Sequence, residues 1–518
     1  MELVTQAPSI PWMSLSPMLI VIGAAVLGVL VEAFVPHKAR RGIQILLSIL
    51  AVVVAFVAVI ARWTAVVSEP LAHSEFIEDT LTLTTQAILL VIAFLALLVI
   101  ADRSELGDGM FAAQPSDRPG SSKEDLSIAK GYQRSEIFPL VLFSLGGMMV
   151  FPGANTLIAL FVALELISLP LYILVATARR RRQLSQEASL KYFLLGAFAS
   201  AFLLMGSALL YGVSGSVVLS EISVTIPFVA GMDWMLIVGV FMLMVGLLFK
   251  VGAAPFHAWT PDVYQGAPTP ITGFMAAAVK IAAFAAMVRI YLTIGVRLEW
   301  DLIWILAVVA GLTIAIGTFV GLVQTDVKRL LAYSSIAHAG FVLIGVLAAT
   351  ETTASSVLFY LLGYGIATVG AFGVIALVRN ADENANITGE ATEISKWAGL
   401  GRKSPVAAGA MLIFLLSFAG IPLTSGFIGK FLVFADGIEA GYPGLVIVAL
   451  VASAITAFYY FRLVVLMFFT EPSENTVVVK SEGYTSIAVV IAALSTIFLG
   501  VFPQPILDAL ANVVVFLP

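Results

Sequence analysis

The chain of 518 residues is 60% hydrophobic and only 11% charged, with a mean hydropathy of +1.04. A soluble globular protein carries about 25% charged residues, so this composition excludes a soluble enzyme and specifies a polytopic membrane protein. The net charge of -5 says little, because in a membrane protein the placement of charge matters more than its sum. Cysteine is absent, which removes structural disulfides, thiolate metal sites and iron–sulfur ligation together.

The first residues, Met1 to Met13, lack the basic stretch of a cleavable signal and lead into a full-length apolar run, so they are expected to stay in the mature protein. Crossing roughly 30 Å of hydrocarbon takes about 20 apolar residues. Runs of that kind fall at 17–35, 43–63, 81–101, 137–151, 156–177, 188–213, 233–252, 269–292, 303–323, 330–348, 356–378, 405–434, 443–469 and 485–506. These fourteen predicted spans define an all-α polytopic protein, and their even number puts both termini on one side. His37-Lys38-Ala39-Arg40-Arg41, Arg179 to Arg182, Lys328-Arg329, and the segment with Arg379, Lys396, Arg402 and Lys403 then share one face. The other face has Glu69, Glu75, Glu78 and Asp79 in one loop, with Arg297 as a clear exception. The positive-inside rule places the termini outside the cytoplasm. The polar stretch from Asp102 to Ser135, rich in Gly, Pro, Ser and mixed charge, reads as a flexible cytoplasmic loop, either a plain linker or a docking segment for a partner.

Charges inside apolar spans are the candidates for function. An ammonium near mid-membrane costs roughly 2.5–3.5 kcal/mol on insertion scales, so such residues face protein or water and work there. Lys250 precedes Pro255 in one proline-broken span, and Lys430 follows Pro422 in another. The two spans are the seventh and twelfth, and an offset of five makes them run in opposite directions, as in an inverted repeat with discontinuous helices. Proline removes a backbone N–H, and the polar backbone it frees must line protein or water. Lys280 sits mid-span among small residues that let helices approach. Glu165, mid-way along the fifth span, has Lys250 as its expected partner, either as a structural ion pair or as a proton-exchanging pair. Each lysine is expected about two turns or more from the nearer predicted helix end. His338 mirrors Glu165 if the repeat holds, as a relay group or as a hydrogen-bonded packing residue. Lys191, at the start of the sixth span, is a further relay candidate or an interface anchor, and His257 and Asp262 serve proton entry or cap helix ends. Arg289 and Arg462, near predicted span ends, receive no role. Four scattered histidines without haem spacing and no Gly-rich phosphate loop leave no redox or metal site to name in this chain.

KVGAAPFHAWTPDVYQGAPTPITGF, TDVKRLLAYSSIAHAGF and SFAGIPLTSGFIGKF resemble the antiporter-like proton-channel subunits of the energy-converting NADH:quinone oxidoreductase, respiratory complex I, and most of all its subunit N branch. The resemblance spans essentially all fourteen helices. It implies two inverted five-helix repeats, 136–295 and 296–470, between an N-terminal three-helix segment, 1–102, with the loop 103–135, and a C-terminal segment, 471–518, with the last span. It implies a proton relay through Glu165, Lys250, Lys280, His338 and Lys430, with Lys191 as the modulating lysine. It places FMN, iron–sulfur clusters and quinone in partner subunits, and gives as partners the adjacent antiporter-like subunit, small membrane subunits and lipids, with no nucleic acid. The expected location is a bacterial inner (plasma) membrane. The alternative is a subunit of an Mrp-type sodium/proton antiporter without redox coupling.

Overall fold

The computed structural model describes residues 10–66, 71–72, 75–103, 111, 121–130, 134–178, 182–228, 231, 233–381, 387–473 and 476–516. The described residues form twenty α-helices: α1 (Trp12–Phe34), α2 (His37–Val66), α3 (Thr80–Ala101), α4 (Ser122–Ala129), α5 (Ile137–Val150), α6 (Leu157–Val175), α7 (Arg182–Ser214), α8 (Leu219–Thr225), α9 (Asp233–Val251), α10 (Trp259–Gly266), α11 (Thr269–Thr293), α12 (Glu299–Leu322), α13 (Val327–Ala348), α14 (Thr353–Leu377), α15 (Leu400–Lys403), α16 (Pro405–Ala419), α17 (Ser425–Glu439), α18 (Pro443–Phe469), α19 (Tyr484–Val501) and α20 (Gln504–Leu510). Twelve helices among the described residues are long and apolar enough to cross a membrane. The other two predicted spans are the short α5 and the broken pair α16–α17, so each of the fourteen apolar runs corresponds to helix.

Two five-helix units repeat the same packing. In the first, α5 packs on α6 and α7 on α9; in the second, α12 packs on α13 and α14 on α17. Helices α11, α13 and α14 are enclosed along nearly their whole length, whereas α1, α2, α7, α12, α18 and α19 present apolar faces to the surroundings. Small residues allow close helix contact: a Cβ on Gly317 of α12 would lie 2.3 Å from the Ala337 backbone nitrogen of α13, so only glycine allows this approach.

Each unit contains a helix break where sequence chemistry demands one. α9 stops at Val251, Gly252 takes a left-handed φ of 74°, and Pro255 cannot donate to a helical ladder before α10 restarts. α16 stops at Ala419, Gly420 takes a φ of 79°, and Pro422 follows before α17. Beyond α14, the chain forms strands β1 (Val378–Ala381), β2 (Ile387–Glu390) and β3 (Thr476–Val478), antiparallel in the order β2-β1-β3.

Several expectations change. The 103–135 segment holds α4, whose first turn is fixed where the Glu124 N–H donates to the Ser121 hydroxyl at 3.4 Å. Arg134 ties the end of that segment down by donating to the Thr177 carbonyl at 2.7 Å. Glu78 and Asp79 are not loop charges facing water. Arg62 grips Glu78 through two hydrogen bonds of 2.7 and 2.6 Å. Asp79 caps α3 by accepting from the Thr82 N–H, and it accepts from Arg289 at 2.7 and 2.9 Å. Arg289, given no role from sequence, is 1% exposed and also donates to the Pro152 carbonyl at 2.6 Å. The Phe516 N–H donates to Asp79 and the Val514 N–H to Thr80, so the C-terminal stretch docks where α3 begins. That end of α3 is the end from which α1 sets out, which agrees with an even number of crossings. Lys328, counted with the surface basic residues, is fully buried: its ammonium donates to the Ala267 carbonyl at 2.7 Å and lies 3.5 Å from Glu390. The Arg179–Arg181 residues, Glu69 and His73 lie outside the described residues.

Removing one partner from a buried ion pair strands the other charge, at a cost of about 3–5 kcal/mol. Asp79→Ala is therefore expected to lower the thermal unfolding midpoint of the detergent-purified protein sharply, and Asp79→Ala with Arg289→Met to recover most of it. Equal midpoints for the two variants would contradict a paired Arg289.

Candidate functional site

The charged residues predicted for function lie along the protein interior on elements from both repeats. Lys250 is in the last turn of α9 rather than two turns inside it, yet it is buried, because the break that follows stays within protein. Its ammonium donates to the Ser168 hydroxyl at 2.6 Å and faces the rings of Tyr172, Tyr192 and Phe249, 5.9, 5.6 and 5.9 Å from their centroids. Such ring faces attract a desolvated cation. Glu165, partly buried, precedes Ser168 by one turn of α6 and lies within electrostatic reach of Lys250. No ion pair of 4.0 Å or less joins the two, so the expected contact pair is open and the serine occupies the lysine instead.

From this cage the contacts lead inward. Trp259 stacks on Tyr192 at 4.8 Å and meets the edge of Tyr264 at 6.3 Å. The Tyr264 hydroxyl is 3.3 Å from that of Ser335 on α13. Lys280, at the centre of the enclosed α11, donates to the Ser335 backbone carbonyl and lies over the Tyr364 ring at 5.8 Å. One turn beyond Ser335, His338 has a tyrosine on each ring nitrogen: Nδ1 is 2.6 Å from the Tyr360 hydroxyl and Nε2 is 3.4 Å from that of Tyr460. The Tyr460 hydroxyl also bonds the Ser334 hydroxyl. A neutral imidazole has one N–H and one lone pair, so one ring nitrogen donates a hydrogen bond to its tyrosine and the other accepts one.

Lys430 completes the series. In the second turn of α17, it donates to the Phe418 and Ala419 carbonyls at 2.9 and 3.0 Å and to the Ser453 hydroxyl at 2.7 Å. Those carbonyls are the last of α16, left without helical partners by the break and carrying the negative end of its dipole, a place suited to a cation. Gly420 is required here for two reasons, since its φ is left-handed and a Cβ would come 2.8 Å from the Lys430 side chain. A cavity of about 580 Å³ opens beside this lysine, lined also by Phe427, Phe431, Val446 and Ser453.

The predicted modulators form a separate cluster. Lys191 bridges Glu187 at 2.6 Å and Asp262 at 2.7 Å, and Asp262 also accepts from Arg329 at 2.7 Å. Asp262, on α10, thus links α7 of the first repeat to α13 of the second. No hydrogen bond or ion pair joins His257, in the turn between α9 and α10, to this cluster, and its Nδ1 has no partner. Sequence reasoning missed the uncharged members: Ser168, Tyr172, Tyr192, Tyr264, Ser334, Ser335, Tyr360, Tyr364 and Tyr460. A signal existed, since Tyr360 and Tyr364 fall four residues apart on one helical face and Ser334-Ser335 immediately precede the histidine turn.

Residues 154–456 match the family described as NADH:quinone oxidoreductase/Mrp antiporter, TM. The chain is 54% identical to the NADH-quinone oxidoreductase subunit N of Beutenbergia cavernae, covering 98% of this chain and 99% of that one, and 48% identical to that of Mycobacteroides abscessus, with 98% of each covered. Among solved structures, a chain of Thermus thermophilus respiratory complex I with bound aureothin is 33% identical, with a TM-score of 0.78 over 96% of this chain and all of that one. A chain of the Mrp complex from Dietzia sp. DQ12-45-1b reaches a TM-score of 0.80 over 97% of each chain at 19% identity, a likeness of fold alone.

Asp262 lies on α10, outside the spans. Partial burial pushes its carboxyl up, but the hydrogen bonds and charges of Lys191 and Arg329 outweigh this and hold it below its ordinary value of 3.8. Because the folded-state value is depressed, the carboxylate's contribution is fully present above the ordinary value and is lost as the pH falls toward the depressed one. The gap in unfolding temperature between the wild type and Asp262→Asn is thus expected to stay constant between about pH 5 and 7 and to close below about pH 4. A gap that closes on raising the pH would contradict the assignment.

Proposed function

The chain belongs to the antiporter-like membrane subunits of NADH:quinone oxidoreductase, in the subunit N branch, and from that premise we propose that it carries protons through Glu165, Lys250, Lys280, His338 and Lys430. The observation that carries this reading is the enclosed row from Lys250 to Lys430, in which every ammonium rests on neutral oxygen atoms or ring faces. Quinone reduction in neighbouring subunits drives a shift along the membrane arm that closes or opens the contact between Glu165 and Lys250. Closed, the carboxylate holds Lys250 protonated. Open, as here, Lys250 keeps only Ser168 and the rings, and its proton leaves past Tyr264 and Ser335, with water filling the aromatic gap, to the neutral amine of Lys280. From there it passes to the imidazole of His338, flanked by Tyr360 and Tyr460, which takes a proton on one nitrogen as it releases one from the other, and so to Lys430. Moving one charge against 100 mV requires about 2.3 kcal/mol, comparable to a change in proton affinity of under two pH units, so modest rearrangements suffice.

The Lys191–Asp262–Arg329 cluster lies where the basic face of the protein meets the cytoplasm, with the termini outside, in a bacterial inner membrane. There it couples proton entry to the relative position of the two repeats. FMN, iron–sulfur clusters and the quinone belong to partner subunits, and the adjacent antiporter-like subunit, small membrane subunits and lipids cover the apolar outer helices.

In the assembled complex, Lys250→Ala is expected to lower the number of protons pumped per electron, and Tyr460→Phe to slow pumping by about tenfold or more while leaving assembly intact, on the scale of a lost general acid–base contact. Unaltered stoichiometry in Lys250→Ala would remove that lysine from the path.

A further inference from the structure

Arg297 is the exception to the charge asymmetry of the sequence, a cation on the face that bears the termini, and the relay makes no use of it. It sits just past the end of α11, eight residues beyond Arg289, whose contact with Asp79 fixes that end of α11 beside the docked C-terminal stretch. Its Nε donates to the Ser223 hydroxyl at 2.9 Å, and that hydroxyl donates to the Thr293 carbonyl at 2.6 Å. Ser223 and Thr293 are buried, so the guanidinium is anchored at its base on fixed groups. Its two terminal nitrogens have no protein partner among the described residues. Arg297 lines a cavity of about 640 Å³ together with Ser220 and the apolar Val224, Ile226, Leu292 and Val296.

We propose that this cavity binds the phosphate of a membrane phospholipid on Arg297, with an acyl chain along Val224, Ile226, Leu292 and Val296. A planar guanidinium held at Nε presents its remaining N–H groups as a fork matched to two phosphate oxygens, which a flexible ammonium would not. The apolar walls distinguish a lipid from a free anion, because an inorganic phosphate gains nothing from them. The depth of the site fits as well. Phe228, Trp234 and Trp304, on the adjoining segments, are strongly exposed, and aromatic side chains of that kind mark the headgroup level of a membrane. The site is independent of the relay, and neither stands or falls with the other.

The test uses the assembled, detergent-purified complex, stripped of lipid and then titrated with phosphatidylglycerol, with lipids per complex counted by native mass spectrometry. Arg297→Gln is expected to bind one phospholipid fewer than the wild type and to need about tenfold more lipid to refill the site, the equivalent of one lost hydrogen-bonded charge pair. Val296→Glu, which puts a carboxylate into the cavity without touching the Ser223 anchor, is expected to do the same and decides the matter if Arg297→Gln does not assemble. Inorganic phosphate at equal concentration is expected not to displace the lipid. Equal lipid counts in wild type and variants, or displacement by phosphate alone, would overturn the proposal.

Discussion

A positive charge inside hydrocarbon must be satisfied, and the chemistry of its partner decides what the charge can do afterwards. Lys250, Lys280 and Lys430 rest on a serine hydroxyl, a helix carbonyl, the free carbonyls of a broken helix, and aromatic faces. Neutral partners of this kind stabilise an ammonium without leaving a stranded anion when it gives up its proton. Arg289 with Asp79, and Lys328 with Glu390, show the opposite arrangement. There a carboxylate in contact makes neutralisation of either partner costly, so the pair fastens its segments together, α11 to the start of α3 and α13 to strand β2. The same protein thus holds one set of buried cations on neutral acceptors and another on carboxylates, and the proposed relay uses only the first.

The broken helices make the neutral partners available. Unbroken helices satisfy their own carbonyls, and a lysine approaching one would find nothing to bind. Where α16 stops, two carbonyls are released and Lys430 takes them. Lys250 sits at the equivalent stop of α9, near the negative end of its own helix. The two repeats are alike in this architecture and differ in chemistry. The first places the carboxylate Glu165 on α6, and the second places His338 between two tyrosines on the corresponding α13. In the proposed relay, one half responds to an electrostatic change and the other passes the proton on.

The spans were legible because about 20 apolar residues in a row have one physical meaning in a membrane. The lysines were legible because an unfavourable charge calls attention to itself. Their partners were not, since a tyrosine or serine within an apolar run reads as ordinary packing, and nothing local distinguishes Tyr360 or Tyr460 from the core. Glu78 and Asp79 were misread for a related reason: Asp79 finds Arg289 far along the chain, and no local pattern announces a pair of that separation. Likewise α7 starts at Arg182, six residues before the apolar run at 188, because its polar first turns carry Glu187 and Lys191 over the surface toward Asp262. The contact of Glu165 with Lys250 was expected from charge alone, and the nearer Ser168 hydroxyl took its place.

Lys280 is the member of the row with the fewest alternatives, enclosed on every side at the centre of α11. The most direct test is the ratio of protons translocated to electrons delivered to quinone by the assembled complex carrying Lys280→Met, which keeps the volume and removes the exchangeable proton. The account predicts a lowered ratio in a complex that still assembles and still reduces quinone. An unchanged ratio would mean that protons take a path that does not include this row of lysines.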